Sequence, residues 1–186
     1  MGKNIIIGVC GSISAYKSCE IVREFKKRNW EVKVIMTEKA TKFISPLTLE
    51  VLSKNPVYID MFDRKNYKQD HISLSEFADI ILVAPATANI IGKIASGISD
   101  DLLTCTIFAF SGTVIFAPAM NDNMWKNKIV EENVQKLKKY GYKFIGPEKG
   151  ELASGKVGIG RLAEIKKIIE ITENEFKKQN NINEAI

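Results

Sequence analysis

Five short apolar runs constrain this chain more than anything else in it: Asn4-Ile5-Ile6-Ile7-Gly8-Val9, Glu31-Val32-Lys33-Val34-Ile35-Met36, Ile80-Ile81-Leu82-Val83-Ala84, Val114 to Ala117, and Tyr142-Lys143-Phe144-Ile145. Helical patterns lie between and after them, at Ala15 to Arg28, Pro46 to Ser53, Asn89 to Ala95, Ile129 to Tyr140 and Arg161 to Lys178. In the first helix, apolar Ile21, Val22 and Phe25 are set against Lys and Arg. Apolar strands joined through helices require a parallel sheet covered on both faces. The predicted fold is therefore α/β: a single-domain, open, doubly wound sheet, Rossmann-like or flavodoxin-like, mostly parallel, with helices on both sides. It is expected to occupy residues 1–175. A polar tail follows at 176–186, and Lys177-Lys178-Gln179-Asn180-Asn181-Ile182-Asn183 is expected to fray.

The remaining bulk properties narrow the function. At 186 residues, 45% hydrophobic and 26% charged, the chain reads as one ordinary globular domain. No run reaches the roughly 18 apolar residues of a membrane span, and MGKNIIIGVCGS lacks the basic flank of a secretory signal. Met1-Gly2 invites a lipid-anchor reading, but a strand begins almost at once and argues against it. Cys10, Cys19 and Cys105 make neither a CxxC pair nor an even set, and one His accompanies them, which argues against a metal site. A reducing, cytoplasmic setting is expected. The net charge of +5 is spread over amphipathic segments, with only Lys136-Leu137-Lys138-Lys139 clustered. That pattern disfavours nucleic acid and suits a small phosphorylated ligand.

In open α/β sheets, ligands sit beyond the carboxyl ends of the strands. The strand exits here are Cys10-Gly11-Ser12-Ile13-Ser14, Thr37-Glu38-Lys39, Pro85-Ala86-Thr87-Ala88-Asn89 and Pro118-Ala119-Met120-Asn121-Asp122-Asn123-Met124-Trp125. The first lacks GxGxxG spacing, and the second presents Thr37 where a NAD site usually places an acid. Gly11 allows close backbone approach, while Ser12, Ser14 and Thr37 offer hydroxyls near a helix start. This favours a terminal phosphate monoester, and so FMN over NAD. Ordinary helix capping by the same Ser and Thr residues is the competing explanation.

Taken together, Gly11 to Lys17, His71-Ile72-Ser73-Leu74, Pro85 to Asn89 and the PxMNxxMW segment at Pro118 to Trp125 resemble the flavin-dependent cysteine decarboxylase family. The similarity runs from about Ile5 to Leu162 and is nearest the coenzyme A biosynthetic branch, with lantibiotic peptide decarboxylases more distant. The resemblance implies FMN-dependent decarboxylation of phosphopantothenoylcysteine to phosphopantetheine, in a homo-oligomer built from trimers (trimer or dodecamer), with each site near a subunit interface. A phosphopantothenoylcysteine synthetase would be a fused or separate partner. By the same match Gly11, Ser12 and Ile13 would hold the FMN phosphate region, and Thr37, Thr87, Asn89 and Ala119 would line the rest of the flavin. His71 would be the active-site base, and Asn121 and Met124 would meet the substrate. Ala153 and Ser154 belong to a segment, Glu151 to Arg161, matching the family's flexible substrate clamp.

The chemistry explains the residue types. Direct loss of CO2 from a cysteine α-carbon leaves a localised carbanion. Oxidation to a thioaldehyde lets those electrons delocalise into an enethiolate, and a flavin suits that oxidation. His71, the sole imidazole, is the one side chain whose ordinary pKa lies near neutrality. Asn121 offers amide donors to a carboxylate, Met124 an adaptable apolar contact, and Trp125 an anchor for the loop. The clamp departs from the family pattern at Ser154, where a cysteine is associated with finishing the reduction of the enethiol. A hydroxyl is a far weaker acid than a thiol, whose pKa is roughly 8.5. The first half-reaction is thus expected to stand and the second to falter. Two alternatives remain: oxidative decarboxylation of a peptide C-terminal cysteine, and a flavin-binding regulatory subunit. The short Lys/Asn tail argues against the latter, and PxMNxxMW argues against a prenyltransferase of related fold.

Overall fold

The computed structural model describes residues 3–62 and 71–183; Met1 and Gly2, on which the lipid-anchor reading turned, lie outside the described residues. Six parallel strands form the main sheet: β1 (Asn4–Val9), β2 (Glu31–Met36), β3 (Val57–Tyr58), β4 (Ile80–Ala86), β5 (Thr113–Pro118) and β6 (Lys143–Phe144). Their order is β3-β2-β1-β4-β5-β6. That order resolves the expected fold as Rossmann-like rather than flavodoxin-like, with the reversal of winding between β1 and β4. At mid-sheet Ile7 pairs with Val34 on one side and Leu82 on the other.

Successive side chains of each strand enter two separate cores, as the strand period of two requires. Ile5, Ile7, Val9, Leu82 and Ile115 meet α1 (Ser18–Lys27), α2 (Pro46–Ser53) and α8 (Ile165–Asn183) on one face. Ile6, Ile81, Val83, Val114 and Phe116 meet α3 (His71–Phe77), α4 (Ala88–Ala95), α5 (Leu102–Ala109) and α7 (Lys128–Lys139) on the other. A short helix α6 (Asp122–Trp125) and an antiparallel hairpin of β7 (Glu148–Glu151) and β8 (Val157–Arg161) stand outside these layers.

Several boundaries differ from the sequence reading. The helix expected over Ala15 to Arg28 is split, because Ser12 caps a 3-10 turn at Ile13–Lys17 and Ser18 bonds through its hydroxyl to the Ala84 carbonyl at 2.8 Å. The helix expected from Arg161 begins at Ile165, since Arg161 pairs with Glu148 in the hairpin. At its far end α8 runs through the boundary drawn at 175/176. Phe176 packs edge-on against Trp30 at 4.8 Å, and Gln179 donates to the Asp79 carbonyl at 3.2 Å and accepts from the Thr113 amide at 3.1 Å. Residues 184–186 lie outside the described part.

Candidate active site

Three of the main sheet's strand exits end in the same device. Ser12 after β1 accepts from the Ser14 amide (3.3 Å), Thr37 after β2 from the Ala40 amide (3.3 Å), and Thr87 after β4 from the Ile90 amide (3.4 Å). The capping explanation is therefore realised. It leaves the ligand role intact, because a hydroxyl that accepts from a backbone amide still has its own proton to donate. The β1 and β4 exits are joined where the Cys10 amide donates to the Pro85 carbonyl at 3.3 Å. The β1 and β2 exits meet backbone against backbone: a Cβ on Gly11 would lie 2.7 Å from Lys39 Cβ.

A cavity of about 910 Å³ opens over these exits, lined among others by Gly11, Ser12, Thr37, Thr87, Asn89, Ala119 and Met124. Burial pushes the Cys10 thiol at its edge up to about 12, against the opposing hydrogen bonds with Thr87. Part of the wall was not read from the sequence. Lys93 of α4 lies between Asp100 and Asp101, at 2.6 and 2.9 Å. Burial works against both charges, yet pairing wins: Lys93 stays above its ordinary pKa and Asp101 below its own. The Asp101-x-x-Thr104 spacing was the available signal, for these two residues form a reciprocal cap at the start of α5.

A second cavity, of about 450 Å³, is lined by Ser12, Ile13, Ala119 and Asn121 on one side and by Ala153, Ser154 and Arg161 of the hairpin on the other. Ser12, Ala119 and Met120 line both cavities. Asn121 caps α6, its Oδ1 accepting from the Asn123 amide at 2.9 Å, which leaves the Nδ2 donors uncommitted by that bond. Met124 faces the larger cavity rather than the smaller, and Trp125 packs on the core beneath. Of the residues expected in the site, His71 alone lines neither cavity. It occupies the first position of α3, half-buried, with Nδ1 fully buried and without a hydrogen-bond partner among the described residues.

Phosphate-type donors at the strand exits, a cleft at the point where winding reverses and a polar annex under a hairpin define an α/β protein that binds a phosphorylated ligand at its sheet's carboxyl edge. The chain belongs to the Flavoprotein family, whose model matches residues 1–177. It is 50% identical over 177 residues to the Coenzyme A biosynthesis bifunctional protein CoaBC of Borreliella burgdorferi, covering 95% of this chain and 45% of that one. The chain thus spans about half the length of such bifunctional relatives. It is 43% identical over 179 residues to a "Probable phosphopantothenoylcysteine decarboxylase" of Streptococcus mutans, covering all of that protein and 95% of this one. Among solved structures, a cysteine-to-serine mutant of PPC decarboxylase complexed with pantothenoylaminoethenethiol matches with TM-score 0.85 at 32% identity, over 95% of this chain and 100% of that one. The FMN-dependent cysteine decarboxylase SpaF matches with TM-score 0.82 at 29% identity, over 94% and 97%.

Proposed function

We propose that this protein decarboxylates phosphopantothenoylcysteine with FMN, in a cytoplasmic step of coenzyme A synthesis. The observation that carries the proposal is the shared boundary of the two cavities. The segment fitted to a ligand phosphate, the PxMNxxMW wall and the clamp meet around Ser12, Ala119 and Met120. The relatives' names point the same way.

The residues fit FMN. Gly11 lets the β1 and β2 exits form a close-walled cradle, since a Cβ there would strike Lys39, Ser12 and Thr37 keep hydroxyl protons to donate, and the cleft is large enough for a ligand of that class. When bound, FMN supplies the two-electron oxidation of the cysteine Cβ–S bond. Asn121 orients the substrate carboxylate through its amide donors, without a buried charge of its own. Ser154, exposed at the hairpin tip, closes the small cavity from above. A serine there cannot readily give up a proton, so the product would leave as the enethiol rather than the saturated thiol, and the two electrons taken from the substrate would remain with the cofactor until an outside acceptor such as O2 removes them. A cysteine-to-serine mutant is also the form in which PPC decarboxylase holds an aminoethenethiol. His71 serves as base across a contact with a second copy of the chain, in a homo-oligomer built from trimers. The place of His71 outside both cavities of its own chain supports that reading.

The test is mass spectrometry of the product formed from phosphopantothenoylcysteine, with flavin absorbance followed in parallel. The parent should release CO2 and an enethiol two hydrogens lighter than phosphopantetheine, and Ser154→Cys should yield the saturated thiol. Absence of CO2 from both proteins refutes the function, and turnover of peptides ending in cysteine instead transfers the assignment to the lantibiotic type. Saturated product from the parent at the Ser154→Cys rate refutes the role given to residue 154.

A further inference from the structure

The hairpin is not part of the main sheet, yet its position is fixed at one edge. The Met120 amide donates to the Gly160 carbonyl at 2.9 Å, and the Ile159 amide donates to Asp122 Oδ1 at 2.9 Å. The other carboxylate oxygen of Asp122 takes Lys126 Nζ at 2.8 Å, one helical turn on. The approach leaves no room for side chains. A Cβ on Gly158 would lie 2.8 Å from Asp122 Cγ, and one on Gly160 would lie 2.1 Å from the Met120 carbonyl oxygen. Asp122 adjoins Asn121 in sequence but lines neither cavity, and neither does Gly158.

We propose that Asp122 is a positioning residue: its carboxylate latches β8 to the wall segment and so fixes the separation of Ser154 from Asn121 across the small cavity. The proposal rests on the decarboxylase reading for its effect on turnover. The latch itself is a property of the fold. Neither Asp122 nor Gly158 faces the cavity, so a change in substrate affinity on altering them must pass through the hairpin. Both sides of one contact can be altered independently, which separates the latch from any private role of either residue.

The experiment uses the FMN-loaded protein, with Asp122→Ala, Gly158→Ala and Asp122→Asn compared against the parent. Three quantities are measured: KM and kcat for CO2 release from phosphopantothenoylcysteine in air-saturated buffer, where O2 takes up the two electrons that enethiol formation leaves on the flavin, flavin occupancy by absorbance, and hydrogen exchange at the Ile159 amide. Loss of a hydrogen bond to a charged group corresponds to roughly tenfold or more in an equilibrium. Both Ala variants should therefore raise KM about tenfold. Their flavin occupancy should match the parent, and kcat at saturating substrate should change far less than KM. Ile159 exchange should quicken in both. Asp122→Asn, whose amide oxygen can still accept from Ile159, should restore KM and protection toward the parent. An unchanged KM in both Ala variants overturns the proposal, as does unchanged Ile159 protection in Asp122→Ala. A KM rise accompanied by lost flavin also overturns it, since the residue would then support the fold at large. Should the parent release no CO2, the decarboxylase reading fails and the exchange measurement still decides the latch: quickened exchange supports it and retained protection overturns it.

Discussion

Gly11→Ala isolates the assignment of the large cavity to the cofactor. The new Cβ would meet Lys39 Cβ at 2.7 Å and the Lys39 carbonyl carbon and oxygen at 3.1 and 3.2 Å, where ordinary contact begins at 3.4 Å. All three are backbone or the first side-chain atom, so no rotamer change relieves the clash. The β1 and β2 exits must separate by roughly 0.7 Å, the difference between 3.4 and 2.7 Å. Overpacking of this kind costs about 1–3 kcal/mol. Without ligand, the two exits can move apart on the surface and shed most of that strain. A bound FMN held by Ser12 at the β1 exit and by Thr37 at the β2 exit would keep them together and retain it. The strain then appears as lost affinity, between about fivefold and about 150-fold in the FMN Kd. Fluorescence titration of the apoprotein measures this, and thermal melting of the same apoprotein shows where the strain resides. A melting temperature lowered by roughly 2–4 °C per kcal/mol, with a Kd within about twofold of the parent, would place the strain in the fold and refute the cradle.

Four further outcomes follow from other parts of the chain. Asn121→Asp should abolish CO2 release while flavin absorbance persists, because a second carboxylate would face that of the substrate in a poorly solvated cavity; activity near the parent level would remove Asn121 from the site. His71→Asn should behave likewise, and addition of an inactive Asn121→Asp partner should restore activity in mixed oligomers if the two residues come from different copies; mixtures that stay inactive would put them in one chain. The Cys10 thiol, pushed to about 12 by burial, stays protonated through mildly alkaline pH, so iodoacetamide at about pH 8 should spare it in the native protein and reach it after denaturation, as peptide mass mapping would show. Hydrogen bonds from Lys126 and then Ile159 hold the Asp122 carboxyl below its ordinary value of 3.8, so the latch is fully formed above that pH and is lost as pH falls through the lower folded value; the Ile159 amide resonance should titrate with a midpoint below 3.8, and a midpoint above it would refute the contact.

The layered fold was legible because the central strands carry almost nothing but apolar residues, a pattern only a doubly covered sheet tolerates. Ile5 to Ile7 enter opposite cores in turn, and the sequence run shows both sets at once. The elements it did not reveal are those without a readable period. Helix α5, Leu102 to Ala109, is apolar on nearly every side because it packs against α3, α4 and β2 together, which leaves no polar face to betray a helix. Strand β3 has two residues, too few for any pattern. The strand-exit rule picked out from local sequence Gly11, Ser12, Thr37, Thr87 and Ala119, all of which line the larger cavity. The Lys93–Asp100–Asp101 group escaped because charged residues near a helix end read as solvated surface until the fold places them along a cavity. The joining of Asp122 to Ile159, 37 positions apart, has no local signature at all. Nor does His71 reveal its function by position, since it lines neither cavity.

The hairpin that carries Ser154 contributes no strand to the six-stranded sheet and no residue to either hydrophobic core apart from what precedes and follows it. If residue 154 acts as proposed, fold maintenance and reaction outcome are written in different parts of the chain. An exchange at the exposed tip should leave global stability within the roughly 0.5 kcal/mol typical of surface substitutions. On the role proposed for residue 154, the same exchange would decide which of two thiols emerges. Selection acting on the product can consequently work on residue 154 without passing through the melting temperature, and a population can lose or regain the finishing step while every member folds equally well.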